Sequence, residues 1–250
     1  MKKIRLLALV MLVIAATVVL GGCGGKQVKK DEDFNAEKFL TRAIKLIDDR
    51  EYEEARKVLL EVKNRDITKK YAPVAQLRIA DSYIKDSDPD HGIEEYRKFL
   101  ELYPDNSLAS YAQYQIAMAY FSQIEAADRG LSAAQKALQE FKLLKEKYPR
   151  NPYREIIDLR TEKCRNIIAE GEFLVGEFYY KKESYNAAIK RFEDLLKQFP
   201  AYEGADKALL LIGKSYQALK IADKAREAFK TLIEKYPSSQ FVKEAGKGIL

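Results

Sequence analysis

The chain has 250 residues, of which 33% are charged and 11% aromatic, and its formal net charge is +6. One histidine and two cysteines offer little for a metal centre, a disulfide framework or a cofactor site. Charges of both signs are interspersed along the chain, so the composition gives no reason to expect nucleic-acid binding. The length suits one large domain or a repeat array with a continuous core.

The N-terminus has the pattern of a secretory signal. Met1–Arg5 carries three basic residues, and the run from Leu6 to Leu20 is apolar except for Thr17. The pair Gly21-Gly22 ends this run short of the roughly 20 apolar residues that span a bilayer, so a permanent transmembrane anchor is the weaker interpretation. We therefore predict that residues 1–22 are a signal peptide.

The stretch Leu20-Gly21-Gly22-Cys23 resembles the bacterial lipobox. The resemblance implies cleavage before Cys23 and attachment of acyl chains, palmitate among them, to this cysteine. The alternative is a cysteine that merely lies near a cleavage site. Gly24 follows, whereas in enterobacterial lipoproteins an aspartate there typically signals retention in the inner membrane. The predicted location is therefore the periplasmic face of the outer membrane.

Residues 23–33 are predicted to be the lipidated cysteine and a flexible tether. Residues 24–33 are charged and poor in large apolar groups, and they span at most about 35 Å when extended. Cleavage would also remove the three basic residues of the signal and lower the formal net charge from +6 to +3.

A repeat begins after Phe34. Four prolines follow an aromatic residue, at Tyr103-Pro104, Tyr148-Pro149, Phe199-Pro200 and Tyr236-Pro237. Small residues recur upstream at Ala43, Ala80, Ala117, Gly176 and Gly213, with spacings of 37, 37, 59 and 37. Together with aromatic residues at fixed distances, this is similar to the tetratricopeptide pattern, in which small residues let paired helices pack closely. We predict an all-α fold of five tetratricopeptide-like helix pairs forming a right-handed solenoid, with an irregular helical bundle as the alternative.

The long step between the third and fourth repeats contains two additions. One lies around residues 122–135, and the other, residues 153–171, keeps its apolar pattern without a breaker and should lengthen the following helix. We assign residues 34–120 to N-terminal repeats and residues 121–250 to C-terminal repeats with the insertion. The first repeat is less typical, because Ile67 stands where the proline would be.

In tetratricopeptide arrays, residues at fixed offsets from the small anchor line an inner groove. In the second and third repeats these offsets give a mostly apolar set: Val74, Leu77, Asp81, Ile84, Lys85, Tyr111, Tyr114, Met118, Phe121 and Ser122. The first repeat adds Leu40, Ile44 and Ile47. The candidate peptide site within this set is here called the apolar groove: Leu77, Ile84, Tyr111, Tyr114, Met118 and Phe121. Such a groove suits an extended segment with aromatic side chains. The alternative is that neighbouring helices or the chain's own loops fill it.

The same offsets in the fourth and fifth repeats give a more charged set, here called the charged face: Glu170, Phe173, Glu177, Tyr180, Lys181, Lys207 and Lys214. This end suits a folded partner that is held by salt-sensitive contacts.

Catalytic constellations are missing from the sequence. His91 lies in Asp-Pro-Asp-His-Gly and is expected at a solvated helix start, and no glycine-rich phosphate loop is present. Cys164 is expected to be a small buried hydrophobic residue, with a reactive thiol as the alternative. We predict no enzymatic activity, no cofactor, and no catalytic or metal site.

The segment from Glu140 to Pro200 resembles the BamD (YfiO) family of outer-membrane assembly lipoproteins. The matching features are Tyr148-Pro149 with Tyr153, the pair Ala169-Glu170, the run Gly176–Tyr180, and the spacing of Tyr185, Ala187 and Ala188. The resemblance implies a non-enzymatic scaffold that, with the barrel protein BamA and its POTRA domains, helps insert β-barrel proteins into the outer membrane. It further implies that the N-terminal repeats receive targeting segments of unfolded barrels and that the C-terminal repeats contact BamA.

The competing hypothesis is a periplasmic tetratricopeptide protein that coordinates envelope constriction or cell-wall enzymes, similar to the CpoB (YbgF) family. Members of that family typically carry an N-terminal coiled coil and no lipid. This chain has a lipobox and no heptad run before Phe34, which favours the assembly role.

Overall fold

The computed structural model describes residues 34–124 and 127–249, and every regular element in these ranges is an α-helix. The predicted signal peptide, the tether and Cys23 lie outside the described residues. The helices are α1 Ala36–Asp48, α2 Tyr52–Arg65, α3 Ala72–Lys85, α4 Pro89–Leu102, α5 Ala109–Ser122, α6 Ala127–Lys147, α7 Arg154–Lys181, α8 Tyr185–Gln198, α9 Ala205–Ala218, α10 Ala222–Lys235 and α11 Val242–Ile249.

From α2 onward, each helix packs against the next one in the chain, and α7, α9 and α11 also contact one another in sequence. This pattern is that of tetratricopeptide-like pairs, with α1, α3, α5, α7 and α9 as the first helices of the five repeats. The prediction of an all-α repeat fold is confirmed, whereas the handedness of the superhelix stays a prediction. No helix in the described ranges is long and apolar enough to cross a membrane.

The turn inside a repeat has the same geometry in four of the five repeats. In the first, the amide of Glu51 donates to the carbonyl of Leu46 over 2.8 Å and the amide of Arg50 donates to Ile47 over 3.2 Å, which is the Schellman pattern of helix ends. The central residue has a positive φ in each case: Arg50 (65°), Ser87 (64°), Glu183 (57°) and Lys220 (61°). A three-residue turn of this kind returns the chain antiparallel to itself.

The small anchors lie where the two helices of a repeat approach most closely. Ala80 and Ala117 are completely buried, and a Cβ added to Gly176 would lie 2.5 Å from Cε1 of Phe192 on the second helix. Phe192 is itself 0% exposed, so its ring has no free space to move into. The anchor positions therefore contribute close packing, as the sequence pattern indicates.

Replacing Gly176 with alanine is expected to lower the free energy of unfolding by about 1–3 kcal/mol, because the buried ring of Phe192 must be displaced. In an open helix the same substitution stabilises by up to about 1 kcal/mol. Gly246 in α11 is the matched control, since an added Cβ there meets nothing within 4 Å. Urea denaturation of both variants checks the opposite signs, and equal effects would show that the Gly176 contact is not tight.

A polar contact also repeats between the two helices of a pair. The buried Gln76 amide donates to the carboxylate of Glu95 over 2.6 Å, and 37 residues later Gln113 donates to Glu140 over 2.7 Å. Both glutamines are at most 2% exposed, so their side chains need these partners. The contact fixes the register of the helix pair in the second and third repeats.

The described structure has one helix more than the five predicted pairs. α11 packs against α10 and contacts α9, and it buries Ala245 against the last repeat. Gly248 lies close to the ring of Phe229, which is 1% exposed. The extra helix covers an apolar surface that would otherwise face water after the fifth repeat.

Each of the two additions, in the third and fourth repeats, contributes to a longer helix. α6 is 21 residues long and α7 is 28, compared with 14 for most of the other repeat helices. α7 therefore begins about four turns earlier than the repeat pattern alone would require, and these extra turns lie over the third repeat.

Candidate functional site

A cleft of about 300 Å³ opens between the first helices of the first three repeats. Two members of the predicted apolar groove, Ile84 and Tyr111, line it together with Ile44 from α1. The complete lining is Ile44, Ile47, Asp48, Arg78, Asp81, Ile84, Lys85, Tyr96, Tyr111 and Gln115. One side of the cleft is therefore aliphatic, and the rest is polar or charged.

Asp81 is the centre of the polar side. Its carboxylate accepts hydrogen bonds from the Tyr96 hydroxyl over 2.5 Å, from the Tyr111 hydroxyl over 3.0 Å and from the Arg78 guanidinium over 2.8 Å. Asp81 is 8% exposed, so its charge depends on these three donors rather than on water. The network holds Tyr111 and Arg78 in fixed positions at the cleft.

The two tyrosines have perturbed ionisation. Burial raises the pKa of Tyr111 to about 12, and the neighbouring Asp81 charge adds to this shift. The pKa of Tyr96 is raised more than that of Tyr111, mainly by burial and next by the charge of Asp81. Because folding raises both values above the ordinary phenol pKa of about 10, the protonated phenols stabilise the folded state.

The stabilisation by the protonated phenols is complete below about pH 10, and that from Tyr111 is lost as the pH rises through about 12. We expect the phenolate absorbance of the folded protein to rise in two stages, with a late stage that coincides with loss of helical circular dichroism. Tyr111→Phe should reduce the late stage without affecting the early one. A single stage near pH 10 with intact helicity would contradict the burial of these phenols.

The second half of the predicted apolar groove is covered by α7. The guanidinium of Arg160 donates to the Tyr114 hydroxyl over 2.6 Å, contacts Sδ of Met118 and lies 5.4 Å from the centre of the Phe121 ring. Tyr153 stacks on Tyr114 with ring centres 4.1 Å apart. The first helix of the following repeat thus fills this half of the groove.

The remaining groove residue, Leu77, is 3% exposed and belongs to the core around α3 and α4. Of the six residues chosen for the apolar groove, the structure brings only Ile84 and Tyr111 together in the open cleft. Only the open half of the groove is therefore accessible to a peptide.

The charged face has a core of paired residues on α7 and α9. Glu177 accepts hydrogen bonds from Lys181 over 2.6 Å and from Lys207 over 3.1 Å, and Lys207 lies 4.7 Å from the ring centre of Phe173. The hydrogen bond from Lys181, with that from Lys207, lowers the pKa of the Glu177 carboxyl. Phe173 is 2% exposed and so supports this surface from beneath.

The other three members of the charged face lie around this core. Glu170 accepts a hydrogen bond from the Tyr202 hydroxyl, and the ring of Tyr180 meets that of Tyr185 at 5.9 Å. Lys214 forms an ion pair with Glu244 of α11 over 2.5 Å. A solvent-exposed ion pair such as Lys214 with Glu244 contributes little to stability, so its members can exchange partners when a charged protein docks.

Cys164 and His91 have the surroundings that the sequence predicts for them. Cys164 is completely buried, and burial raises the pKa of its thiol to about 11. His91 is exposed near the start of α4, with its ring 2.6 Å from the Asp88 carboxylate. In the described residues, no group of three or more potential ligands could hold a metal ion.

The described residues form an array of antiparallel helix pairs, with an open cleft at one end and paired surface charges at the other. These features define a tetratricopeptide-type scaffold. Residues 32–228 match the YfiO family, described as outer membrane lipoprotein. The chain belongs to this family. Family membership and the repeat architecture identify a non-enzymatic scaffold.

Several similar proteins carry the name outer membrane protein assembly factor BamD. The one from Rickettsia prowazekii is 27% identical over 241 residues, covering 96% of this chain and 95% of its own length. The one from Vibrio cholerae is 29% identical over 177 residues, covering 67% and 73%, and the one from Neisseria meningitidis is 24% identical over 255 residues, covering 98% and 95%.

Among solved structures, the TPR2AB domain of yeast Sti1 is similar at a TM-score of 0.48 and 15% identity, covering 81% of this chain and 78% of that one. A thermophilic tetratricopeptide protein of Thermus thermophilus gives a TM-score of 0.36 at 15% identity, covering 86% and 99%. The helix pairs and their recurring turns define the repeat without these likenesses.

Proposed function

We propose that this protein is a lipid-anchored scaffold that assembles β-barrel proteins at the periplasmic face of the outer membrane. The open cleft between α1, α3 and α5, on a member of the YfiO family, is the observation that supports this function best. The N-terminal repeats, residues 34–120, take up extended segments of unfolded outer-membrane proteins. The C-terminal repeats, residues 121–250, dock a BamA-like barrel protein through a POTRA domain.

The chemistry of the cleft fits a segment of a barrel strand. Ligand pockets are commonly about 300–1,000 Å³, so a volume near the lower limit suits one or two side chains of an extended segment. Barrel strands alternate apolar and polar side chains and carry aromatic residues near the membrane interface. The aliphatic side around Ile44 and Ile84 would receive the apolar side chain, and Arg78 and Lys85 would face acidic or carboxylate groups.

The charged face fits a folded partner rather than an extended segment. Glu177, its two lysines and the ring of Tyr180 form a mixed surface on two adjacent first helices, with the buried ring of Phe173 beneath them. Such surfaces guide association and fix orientation through charge complementarity. Partner affinity should therefore fall as salt is raised.

Replacing Ile44 with glutamate is expected to weaken binding of a peptide from the last strand of an outer-membrane barrel by about tenfold or more, since a charge would enter the aliphatic side of the cleft. Leu60→Glu is the matched control, because Leu60 is 43% exposed, close to the 39% of Ile44, but does not line the cleft. Fluorescence anisotropy with a labelled peptide measures both affinities. Equal affinities in the two folded variants would contradict the cleft as the peptide site.

Purification of the protein from detergent-solubilised outer membranes tests the function as a whole. Recovery of a BamA-like barrel protein, and lowered levels of outer-membrane proteins after depletion, are the expected results. Recovery of cell-wall enzymes without a barrel protein would instead support the role in envelope constriction.

A further inference from the structure

The loop between α2 and α3 holds an aliphatic side chain in solvent. Ile67 is 95% exposed, although the loop around it is well ordered by hydrogen bonds. The carboxylate of Asp66, which is 8% exposed, accepts hydrogen bonds from the Thr68 hydroxyl over 2.6 Å and from the amides of Tyr71 and Ala72 over 2.6 and 2.9 Å. These hydrogen bonds give the loop a defined conformation, in which the side chain of Ile67 points into solvent.

Cations lie next to this side chain. Lys69 and Lys70 are both exposed, and the Nζ of Lys70 lies 5.0 Å from the ring centre of Tyr71. Lys69 has a left-handed φ of 55°, and its amide donates to the carbonyl of Asp66 over 3.1 Å, so the backbone turns tightly here. An exposed aliphatic residue flanked by lysines and a tyrosine has the composition of a contact with a lipid headgroup region.

The loop lies at the edge of the array where the chain enters α1. The Tyr71 hydroxyl donates to the carboxylate of Glu37, in the first turn of α1, over 3.4 Å. Residues 24–33 separate Cys23 from Phe34 and reach at most about 35 Å. A lipid on Cys23 would therefore keep this edge close to the membrane surface.

The opposite edge carries the turns inside the repeats. A helix of 14 residues such as α9 is about 21 Å long, so the turn after it lies roughly that far from the edge that contains Ile67. Ile221 in that turn is also an exposed aliphatic residue, at 41%. Ile221 is therefore a control position for Ile67, because it is an exposed isoleucine at the opposite edge of the array.

We propose that the loop from Asp66 to Tyr71 is a second membrane contact, with Ile67 in the headgroup region and Lys69 and Lys70 on anionic headgroups. The proposal rests on the lipidation of Cys23 proposed above. One aliphatic side chain and two lysines bind a membrane weakly on their own, but the lipid raises their effective concentration at its surface. The contact would orient the array with its repeat junctions toward the membrane.

The test places an environment-sensitive fluorophore on the lipidated full chain through Ile67→Cys or Ile221→Cys. Cys164 is completely buried and Cys23 carries lipid, so labelling is directed to the new thiol. The proteins are reconstituted into vesicles of phosphatidylethanolamine and phosphatidylglycerol that contain a nitroxide lipid. We expect blue-shifted emission and quenching of the Ile67→Cys label only, with less quenching when Lys69 and Lys70 are both changed to glutamine.

Equal emission and equal quenching at the two positions would overturn the loop contact. A label that shifts only in native membrane fragments, and not in the pure vesicles, would also overturn it, because a protein would then cover the loop. Flotation of the vesicles and the acyl mass of Cys23 are measured on the same samples. A floating, acylated protein with an unquenched Ile67→Cys label overturns this proposal alone, whereas a missing acyl mass overturns the lipid anchor as well.

Discussion

Replacing Asp81 with alanine is expected to lower the free energy of unfolding by about 3–5 kcal/mol, because it breaks a buried, hydrogen-bonded charge network. Tyr96 is 1% exposed, so its hydroxyl would lose its acceptor without gaining water. Tyr111 and Arg78 would also lose the contact that fixes them at the cleft. Peptide binding should therefore weaken together with stability.

Urea denaturation and peptide anisotropy measure the two effects on the same variant. Asp158→Ala is the control, since its ion pair with Lys145 joins two side chains that are 55% and 46% exposed and should contribute about 1 kcal/mol or less. The double variant Asp81→Ala with Tyr96→Phe should be less destabilised than the sum of its parts, because the buried Tyr96 hydroxyl is no longer left without an acceptor. A loss below about 1 kcal/mol for Asp81→Ala would show that water replaces the carboxylate.

Changing Cys23 to serine is expected to release the protein from the outer membrane or to mislocalise it. A mature lipoprotein carries several acyl chains, and each buried methylene contributes about 0.8 kcal/mol, whereas the loop at Ile67 can provide only a weak contact. The helices described at residues 34–249 do not involve Cys23, so the helical circular dichroism should be unchanged.

Fractionation of cells that express the variant measures the release, and circular dichroism of the soluble protein checks the fold. Serine conserves size and polarity but cannot form the thioether on which lipidation depends. A variant that stays in the outer-membrane fraction with full helicity would show that another contact anchors the protein.

The repeat could be predicted because its signals are local. Gly176 and Gly213 mark close helix crossings, and aromatic residues such as Phe192 lie at fixed distances from them. The long α7 was also predictable, since residues 153–171 keep an apolar pattern without a breaker. These features depend only on neighbours within one or two helices.

The groove offsets in the sequence include Asp81 on the polar side of the cleft, but they do not include its buried partner. Tyr96 occupies the place that Phe141, Phe192 and Phe229 fill in the later repeats. A tyrosine in a completely buried position needs a hydrogen-bond partner, which here is Asp81. Comparing the repeats with one another would have identified this pair.

The cover over the third repeat could not be predicted in the same way. The repeat offsets show that Tyr114 and Phe121 face the inner side of α5, but not what lies above them. That depends on the angle at which α7 crosses α5, which places Arg160 against both rings. Crossing angles depend on the packing of whole helices and leave no local pattern.

α7 has a further consequence for how the protein can be divided. It is one unbroken helix of 28 residues, about 42 Å long, whose first turns cover the third repeat and whose last turns carry Glu177 and Lys181. A fragment that ended near residue 121 would lose Tyr153 and Arg160 and expose the rings beneath them. Point substitutions rather than truncation are therefore the way to separate the contribution of the cleft from that of the charged face.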